Sequence, residues 1–231
     1  MKQILFATGN PSKAKRFSKG LYEKGIEVIT PNDIDKEVKI EENGKNAIEN
    51  ALIKARAYSK TVNIPVFAMD DNLYLENVPE EKQPGMYVRR VNGKRLSDDE
   101  MIEHYLKLVK EYGINGKLTC KWVYGMAVIN NGKESTYAWS KEDFYMVDKP
   151  SNKINPGYPL NTISINKKLN KYFTDITDED KEKIQEDESD VVDFIAKMFN
   201  SWLHGNKYII QILIPSNSTG LEKMQVFIFL H

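Results

Sequence analysis

Short apolar runs alternate with amphipathic stretches along this chain. Residues 3–8, Gln-Ile-Leu-Phe-Ala-Thr, form an apolar run of strand length that reads as a buried strand. Gly9-Asn10-Pro11-Ser12 follows as a turn. Ala14, Phe17 and Leu21 then recur at helical spacing until Gly25, a helix stop. Ile26–Ile29 is a second short strand. Strand, tight turn, helix and strand predict an α/β unit with a parallel pair.

Lys45–Lys60 reads as the clearest helix, with Ala47, Ala51, Ala55 and Tyr58 on one side. Ile64–Ala68 is the next predicted strand, and the acidic pair Asp70-Asp71 follows it. Asp98–Tyr112 presents Met101, Ile102, Tyr105, Leu106 and Val109 on one helical face. Leu118–Asn130 and Ser135–Val147 read as strands joined at Asn130-Asn131-Gly132, since Asn-Gly is a strong hairpin signal. A polar, acidic helix or loop starts at Thr177, and the run Asp178–Asp190 reads as a solvated face. A helix from Ser189 to about Leu203 carries Val192, Ile195, Ala196, Phe199, Trp202 and Leu203 on its apolar stripe. The tail ends in two strand-like runs, Lys207–Ile214 and Met224–Leu230, read as an added hairpin. No internal repeat or low-complexity linker interrupts the pattern. The expected division is one domain over 1–204 and an extension over 205–231.

Composition narrows the function classes. The 231 residues are long enough to bury a sizeable core, and 41% hydrophobic with 29% charged residues fits an ordinary globular protein. The 33 basic residues balance 33 acidic ones, so no net positive field points to nucleic acid or to an anionic membrane surface. No apolar stretch reaches membrane-spanning length, and the opening MKQILFATGN has too short an apolar run for a signal peptide. Cys120 is the single cysteine, expected in the core, and no internal disulfide can form. The three histidines lack metal-ligand spacing with a cysteine, so no zinc site is expected. These features together suggest a cytoplasmic protein.

Four clusters could carry chemistry. Thr8-Gly9-Asn10-Pro11-Ser12-Lys13 lies at a strand-to-helix turn. Gly9 there lets the backbone approach a ligand, the helix N-terminus offers unpaired N–H groups, and Lys13 adds a charge for phosphate. Glu49, Asn50 and Lys54 lie together on one helix, where a carboxylate can take magnesium while the lysine meets phosphate; an exposed charge pattern is the plainer reading. Asp70-Asp71 follow an apolar strand, where α/β sheets bind ligands; a simple Asp turn is equally open. Pro84-Gly85-Met86-Tyr87-Val88-Arg89-Arg90 could bring a guanidinium to a phosphate or could be a loop with two solvated arginines. Together the four propose one anion-and-metal site.

The strings ILFATGNPSKAKRF, NAIENALIKARAYSK, IPVFAMDDNLYLENV and QPGMYVRR resemble, in order and spacing, the successive motifs of the inosine-triphosphate pyrophosphatase family. The likeness covers roughly residues 1–95. It implies a mixed, elongated α/β sheet with flanking helices, two lobes around a central cleft, and commonly a homodimer. It also implies magnesium-dependent hydrolysis of ITP, dITP or XTP to the monophosphate and pyrophosphate. By resemblance, Thr8, Asn10, Lys13 and Lys54 meet phosphate, with Gly9 in the same turn; Arg90, from its own cluster, is expected to stabilise the departing pyrophosphate with the two lysines. Glu49, Asp70 and Asp71 are the implied metal ligands. The resemblance makes Asp70 the catalytic base, with Lys13 and Lys54 stabilising charge. Ungapped, Met69 stands where the family has its first aspartate; a one-residue shift gives Asp70 and Asp71 the two roles.

The second half departs from the family pattern. Pro156-Gly157-Tyr158-Pro159-Leu160 corresponds to a Gly-Tyr-Asp-Pro segment without its aspartate, and Tyr158 is the implied base-stacking residue. A Ser-His-Arg motif that helps read a 6-oxo purine falls on Ser189-Asp190-Val191. Losing such donors can change discrimination by about 10⁴. Two alternatives therefore stand beside deaminated-purine hydrolysis: nucleotide binding without turnover, and the same chemistry on a different base.

Overall fold

Four consecutive apolar residues, Ile4 to Ala7, are too hydrophobic for a half-exposed strand, and all four are buried. The computed structural model describes residues 1–35, 38–184, 188–201, 210–215 and 221–226. In chain order its elements are β1 (Lys2–Phe6), α1 (Pro11–Glu23), β2 (Ile26–Ile29), α2 (Ala47–Ser59), β3 (Val66–Leu75), β4 (Arg90–Val91) and β5 (Lys94–Arg95). There follow α3 (Asp98–Tyr112), β6 (Lys117–Asn130), β7 (Lys133–Val147), β8 (Ser164–Asn166), β9 (Lys171–Tyr172), α4 (Asp178–Ile184), α5 (Ser189–Asn200), β10 (Ile210–Pro215) and β11 (Leu221–Val226). The expected boundary at residue 204, with Trp202 and His204, lies outside the described residues.

The chain folds as two compact units. The first comprises Met1–Asp71, Tyr124–Trp139 and Asp187–His231, the second Asn72–Val123 and Ser140–Glu186. In the first unit the strand order is β2-β1-β3-β6-β7. β1 lies parallel to β2, with Lys2 opposite Ile26, and parallel to β3, with Leu5 opposite Val66 and Phe6 opposite Phe67. The parallel α/β opening expected from the sequence is present. Strand alternation then sorts the core into two layers. Ile4, Phe6, Phe67, Met69, Met126 and Val128 pack under α1 and α5. Leu5, Ala7, Val66, Ala68, Ala127 and Ile129 pack against Ala51, Ala55 and Tyr58 of α2. Phe6 and Phe67 stack at 4.2 Å within the first layer.

The second unit continues β3, β6 and β7 and adds β8 and β9, both antiparallel to their neighbours, so the sheet is mixed. Its core joins Leu73, Leu118, Cys120, Phe144 and Met146 to Met101, Tyr105, Leu108 and Val109 of α3. Cys120 is buried there, its thiol donating to the Leu118 carbonyl at 3.2 Å, and burial pushes its pKa up to about 12. Trp122 stacks on Phe144 and Trp139 on Tyr124, so both described tryptophans pack within the protein. β10 and β11 are antiparallel, with Ile210 opposite Val226.

Local signals account for the boundaries. α3 begins at the predicted residue because Ser97 and Glu100 form a reciprocal capping box. α2 begins two residues later than predicted, since the Asn46 side chain caps it by accepting from the Glu49 N–H at 3.0 Å. The β6–β7 turn uses Asn131 (φ 49°) and Gly132 (φ 75°), the conformation that an Asn-Gly hairpin needs. Two expectations require correction. Asp70 and Asp71 lie inside β3, which runs on to Leu75, rather than in a turn after it. The acidic run is not wholly solvated either. Asp180 is buried, held by Lys171 and by the Thr177 N–H.

Candidate functional site

At the carboxyl end of β1 the chain turns through Thr8, Gly9 and Asn10 into α1. The Asn10 N–H donates to Thr8 Oγ1 at 3.1 Å, and the Lys13 N–H donates to Asn10 Oδ1 at 3.4 Å, so the turn caps its own helix. Thr8 is half-buried, while Gly9 and Asn10 are exposed. A Cβ added at Gly9 would meet no atom within 4 Å, so the backbone there is open.

β3 carries Asp70 and Asp71 just past its last pairing with β1, at Phe67. Successive strand residues point to opposite faces. Asp71 shares the face of Phe67 and Met69 and pairs with Lys13 of α1. Asp70 shares the face of Val66 and Ala68 and meets Lys54 Nζ of α2 at 3.3 Å. One acidic doublet thus holds a lysine on each side of the sheet. The Lys54 and Asp70 side chains are only 12% and 14% exposed, so both charges are largely withdrawn from water.

Lys54 is shared, because Glu42 Oε2 also lies 3.3 Å from its Nζ. Asn50 ties the Glu42 segment to α2: buried, it accepts the Gly44 N–H at 2.8 Å. Only glycine fits at 44, since a Cβ would stand 2.7 Å from Asn50 Oδ1 and from the Glu49 side chain. Glu49 is turned toward the start of its own helix, where Oε2 accepts the Lys45 N–H at 2.8 Å. Among the described residues, no three His, Cys, Asp or Glu side chains converge to hold a metal ion. Glu49, Asp70 and Asp71 are therefore not a ready-made cage. Magnesium needs less, because it keeps several waters and takes one or two carboxylates together with substrate phosphates. Asp70 lies against α2 through Lys54, Glu49 is turned to the start of that helix, and Asp71 sits across the strand with Lys13.

The two remaining candidates belong to the second unit. Arg90 is exposed on β4, and Tyr158 is 54% exposed after Gly157, whose φ is 82°. Their immediate neighbours are bonded together. Arg89 Nη1 donates to Asp98 Oδ1 at 2.6 Å, and Asp98 Oδ2 accepts the Gly157 N–H at 2.8 Å. The Arg89 hydrogen bond, with that of Gly157, holds the Asp98 carboxyl below its ordinary pKa.

The pattern of the Ham1 family matches residues 4–191 of the chain. The chain belongs to the Ham1 family. Over 185 residues it is 32% identical to the dITP/XTP pyrophosphatase of Bacillus subtilis (strain 168), covering 80% of this chain and 90% of that one. It is equally 32% identical over 186 residues to the dITP/XTP pyrophosphatase of Thermoanaerobacter pseudethanolicus, covering 79% and 89%. The fold is shared with the Ham1 protein of Staphylococcus aureus, at a TM-score of 0.64 and 22% identity over 85% of this chain and all of the other. The HAM1 protein of Coxiella burnetii gives 0.65 and 21%, over 87% of this chain and all of that one. The resemblance drawn from the sequence motifs is thus borne out at the level of family and fold.

Several side chains of this Ham1 chain went unremarked in its sequence. Arg16, one turn beyond Lys13, donates from Nε to both carboxylate oxygens of Glu188 at 2.9 Å and lies 4.6 Å over the Tyr124 ring. Burial disfavours its charge, but Glu188 and Tyr124 outweigh burial and raise its pKa. Glu42 was likewise missed, while Arg89 was read only as a guanidinium for phosphate or for solvent and Asp98 only as a helix start; the structure pairs the two instead. Only helical spacing of Arg16 from Lys13 was available as a signal; the partners lie far away in sequence.

Proposed function

We propose that the chain hydrolyses a deaminated purine nucleoside triphosphate, such as ITP, dITP or XTP, to the monophosphate and pyrophosphate. The observation that carries this is the Asp70-Asp71 doublet with a lysine bound on each face, directly beyond the open turn at Gly9. Each ion pair is a charge exchange in waiting. Phosphate oxygens take over Lys13 and Lys54, which releases carboxylates to bind a cation and to accept a proton. Glu49 and Asp70 are the residues that would hold Mg2+, which when bound neutralises phosphate charge and lowers the pKa of coordinated water. Asp70 accepts the proton of the attacking water. Lys13, Lys54 and Arg90 stabilise charge on the departing pyrophosphate. Thr8, Gly9 and Asn10 line the phosphate turn, and Tyr158 stacks on the base. The dITP/XTP pyrophosphatase names of the relatives support the substrate class.

The finer readings are a homodimer acting in the cytoplasm. The single, buried, unpaired Cys120 accords with a reducing compartment. Among the described residues no helix is long and apolar enough to cross a membrane. The test assays purified protein with Mg2+ against ITP, XTP and the four ordinary triphosphates, measuring pyrophosphate. ITP or XTP should be preferred, and Glu49→Gln, Asp70→Asn and Lys54→Met should each lower kcat by about 10² or more. Full activity in Glu49→Gln and Asp70→Asn would remove the assigned roles. Sedimentation measures the dimer.

A further inference from the structure

Arg90 and Tyr158 are the nucleotide contacts assigned to the second unit, and one ion pair is bonded next to each of them. Arg89 Nη1 donates to Asp98 Oδ1 at 2.6 Å, and Arg89 Nη2 reaches the Gly157 carbonyl at 3.3 Å. The other Asp98 oxygen accepts the Gly157 N–H at 2.8 Å. Arg89 directly precedes Arg90, and Gly157 directly precedes Tyr158. We propose that Arg89 and Asp98 are positioning residues that fix Arg90 and Tyr158 for the nucleotide without touching it. The proposal rests on the reading of those two side chains as nucleotide contacts.

The neighbouring structure explains why the pair is needed. Arg90 stands on a two-residue strand of the β4–β5 hairpin, which turns through Asn92 (φ 50°) and Gly93 (φ 78°). The neck of that hairpin is closed by Leu96 N–H to Arg89 O at 2.9 Å. Gly157 lies in no strand or helix, and its φ of 82° suits glycine. Asp98, by contrast, opens α3, a helix fixed by its capping box and by buried Met101, Tyr105, Leu108 and Val109. Tyr105 also donates to the carbonyl of Val88, the residue before Arg89, at 3.0 Å. The helix is the fixed body and the two loops hang from it. A carboxylate can accept from both loops at once, which a single amide oxygen does less well. The Arg89 and Asp98 side chains are 27% and 32% exposed, so the pair itself adds little to folding.

The test measures kcat and KM for ITP by pyrophosphate release, with a Tm for every variant. Asp98→Ala and Arg89→Met should each raise KM about tenfold and leave kcat within about twofold. Arg89→Lys, which keeps charge but not the planar fork, should recover part of the loss. Combined with Tyr158→Ala, Asp98→Ala should raise KM by less than the product of the two single effects. A parental KM in Asp98→Ala and Arg89→Met, beside a raised KM in Tyr158→Ala, overturns the positioning role and leaves the nucleotide contacts standing. Fully multiplicative effects overturn it too. A parental KM in both Tyr158→Ala and Arg90→Ala removes the contacts and the proposal together. If Asp98→Ala fails to fold, the two Arg89 variants decide the matter.

Discussion

β6 passes beneath the first turn of α2 at Gly125, and replacing that glycine by alanine tests whether this close approach sets the site. A Cβ there would stand 2.7 Å from the Ala47 carbonyl oxygen and nearer still to the backbone of Ile48. Neither can swing aside as a side-chain tip would, so the helix itself must move. Going from 2.4 Å at the Ala47 carbonyl carbon and 2.3 Å at the Ile48 nitrogen to ordinary contact at 3.4 Å requires a retreat of about 1 Å. Overpacking of this kind costs about 1–3 kcal/mol. For a chain of this length each kcal/mol lowers Tm by about 2–4 °C. Glu49 and Lys54 ride on α2, and a misplacement of about 1 Å can cost about 10²-fold in rate. Gly125→Ala should therefore lower both Tm and kcat while every charged group of the site remains chemically intact. Thermal unfolding by circular dichroism and initial rates of pyrophosphate release at saturating ITP measure the two effects. A variant as stable and as active as the parent would refute the reasoning. Lost stability at full rate would keep the packing argument and discard its link to the site.

Gly9→Ala makes the opposite prediction. Its added Cβ meets nothing and its φ is not in the left-handed region, so stability should stay within about 0.5 kcal/mol of the parent. The KM for triphosphate should nevertheless rise, as kinetics at fixed Mg2+ would show, because a methyl group then covers the open turn. Arg16→Ala should lower stability by about 2 kcal/mol in urea unfolding, through loss of a charged hydrogen-bonded pair and of the Tyr124 contact. Arg16→Lys should restore only part of it. Asp180 has its pKa lowered from 3.8 to about 2, chiefly by the Lys171 hydrogen bond. Its contribution to stability is complete above its unfolded pKa and is lost as pH falls toward about 2. Asp180→Asn should flatten that segment of the acid-unfolding curve, measured by fluorescence.

Periodicity made the first unit legible. The run Ile4–Ala7, the spacing of Phe17 and Leu21, and the alanines of α2 each follow from burying one face or both. The Asn-Gly pair located the β6–β7 turn. The site was legible as a set of residue types near strand and helix ends. Its wiring was not, because Lys13 meets Asp71 and Lys54 meets Asp70 only once β3 has a defined register. The strand end was misjudged because Asp and Asn are poor strand formers, and tertiary pairing overrode that propensity at Asp70 to Asn72. Asp180 was misread for a related reason. A charge run is solvated unless another segment brings a counter-charge, and Lys171 arrives from β9.

The acidic doublet of β3 bears on how such a site tolerates change. A strand that gains or loses one residue inverts the facing of everything after it, and a lone acid would then be delivered to the wrong helix. Two identical neighbours escape that fate on one face only: after the slip one lysine finds an aspartate at the old position, while the other finds one two residues along, about 6.6 Å away. The ambiguity that let Asp70 and Asp71 align in either of two ways is thus a partial redundancy in the molecule. An indel ahead of the doublet therefore spares one of its two ion pairs and breaks the other.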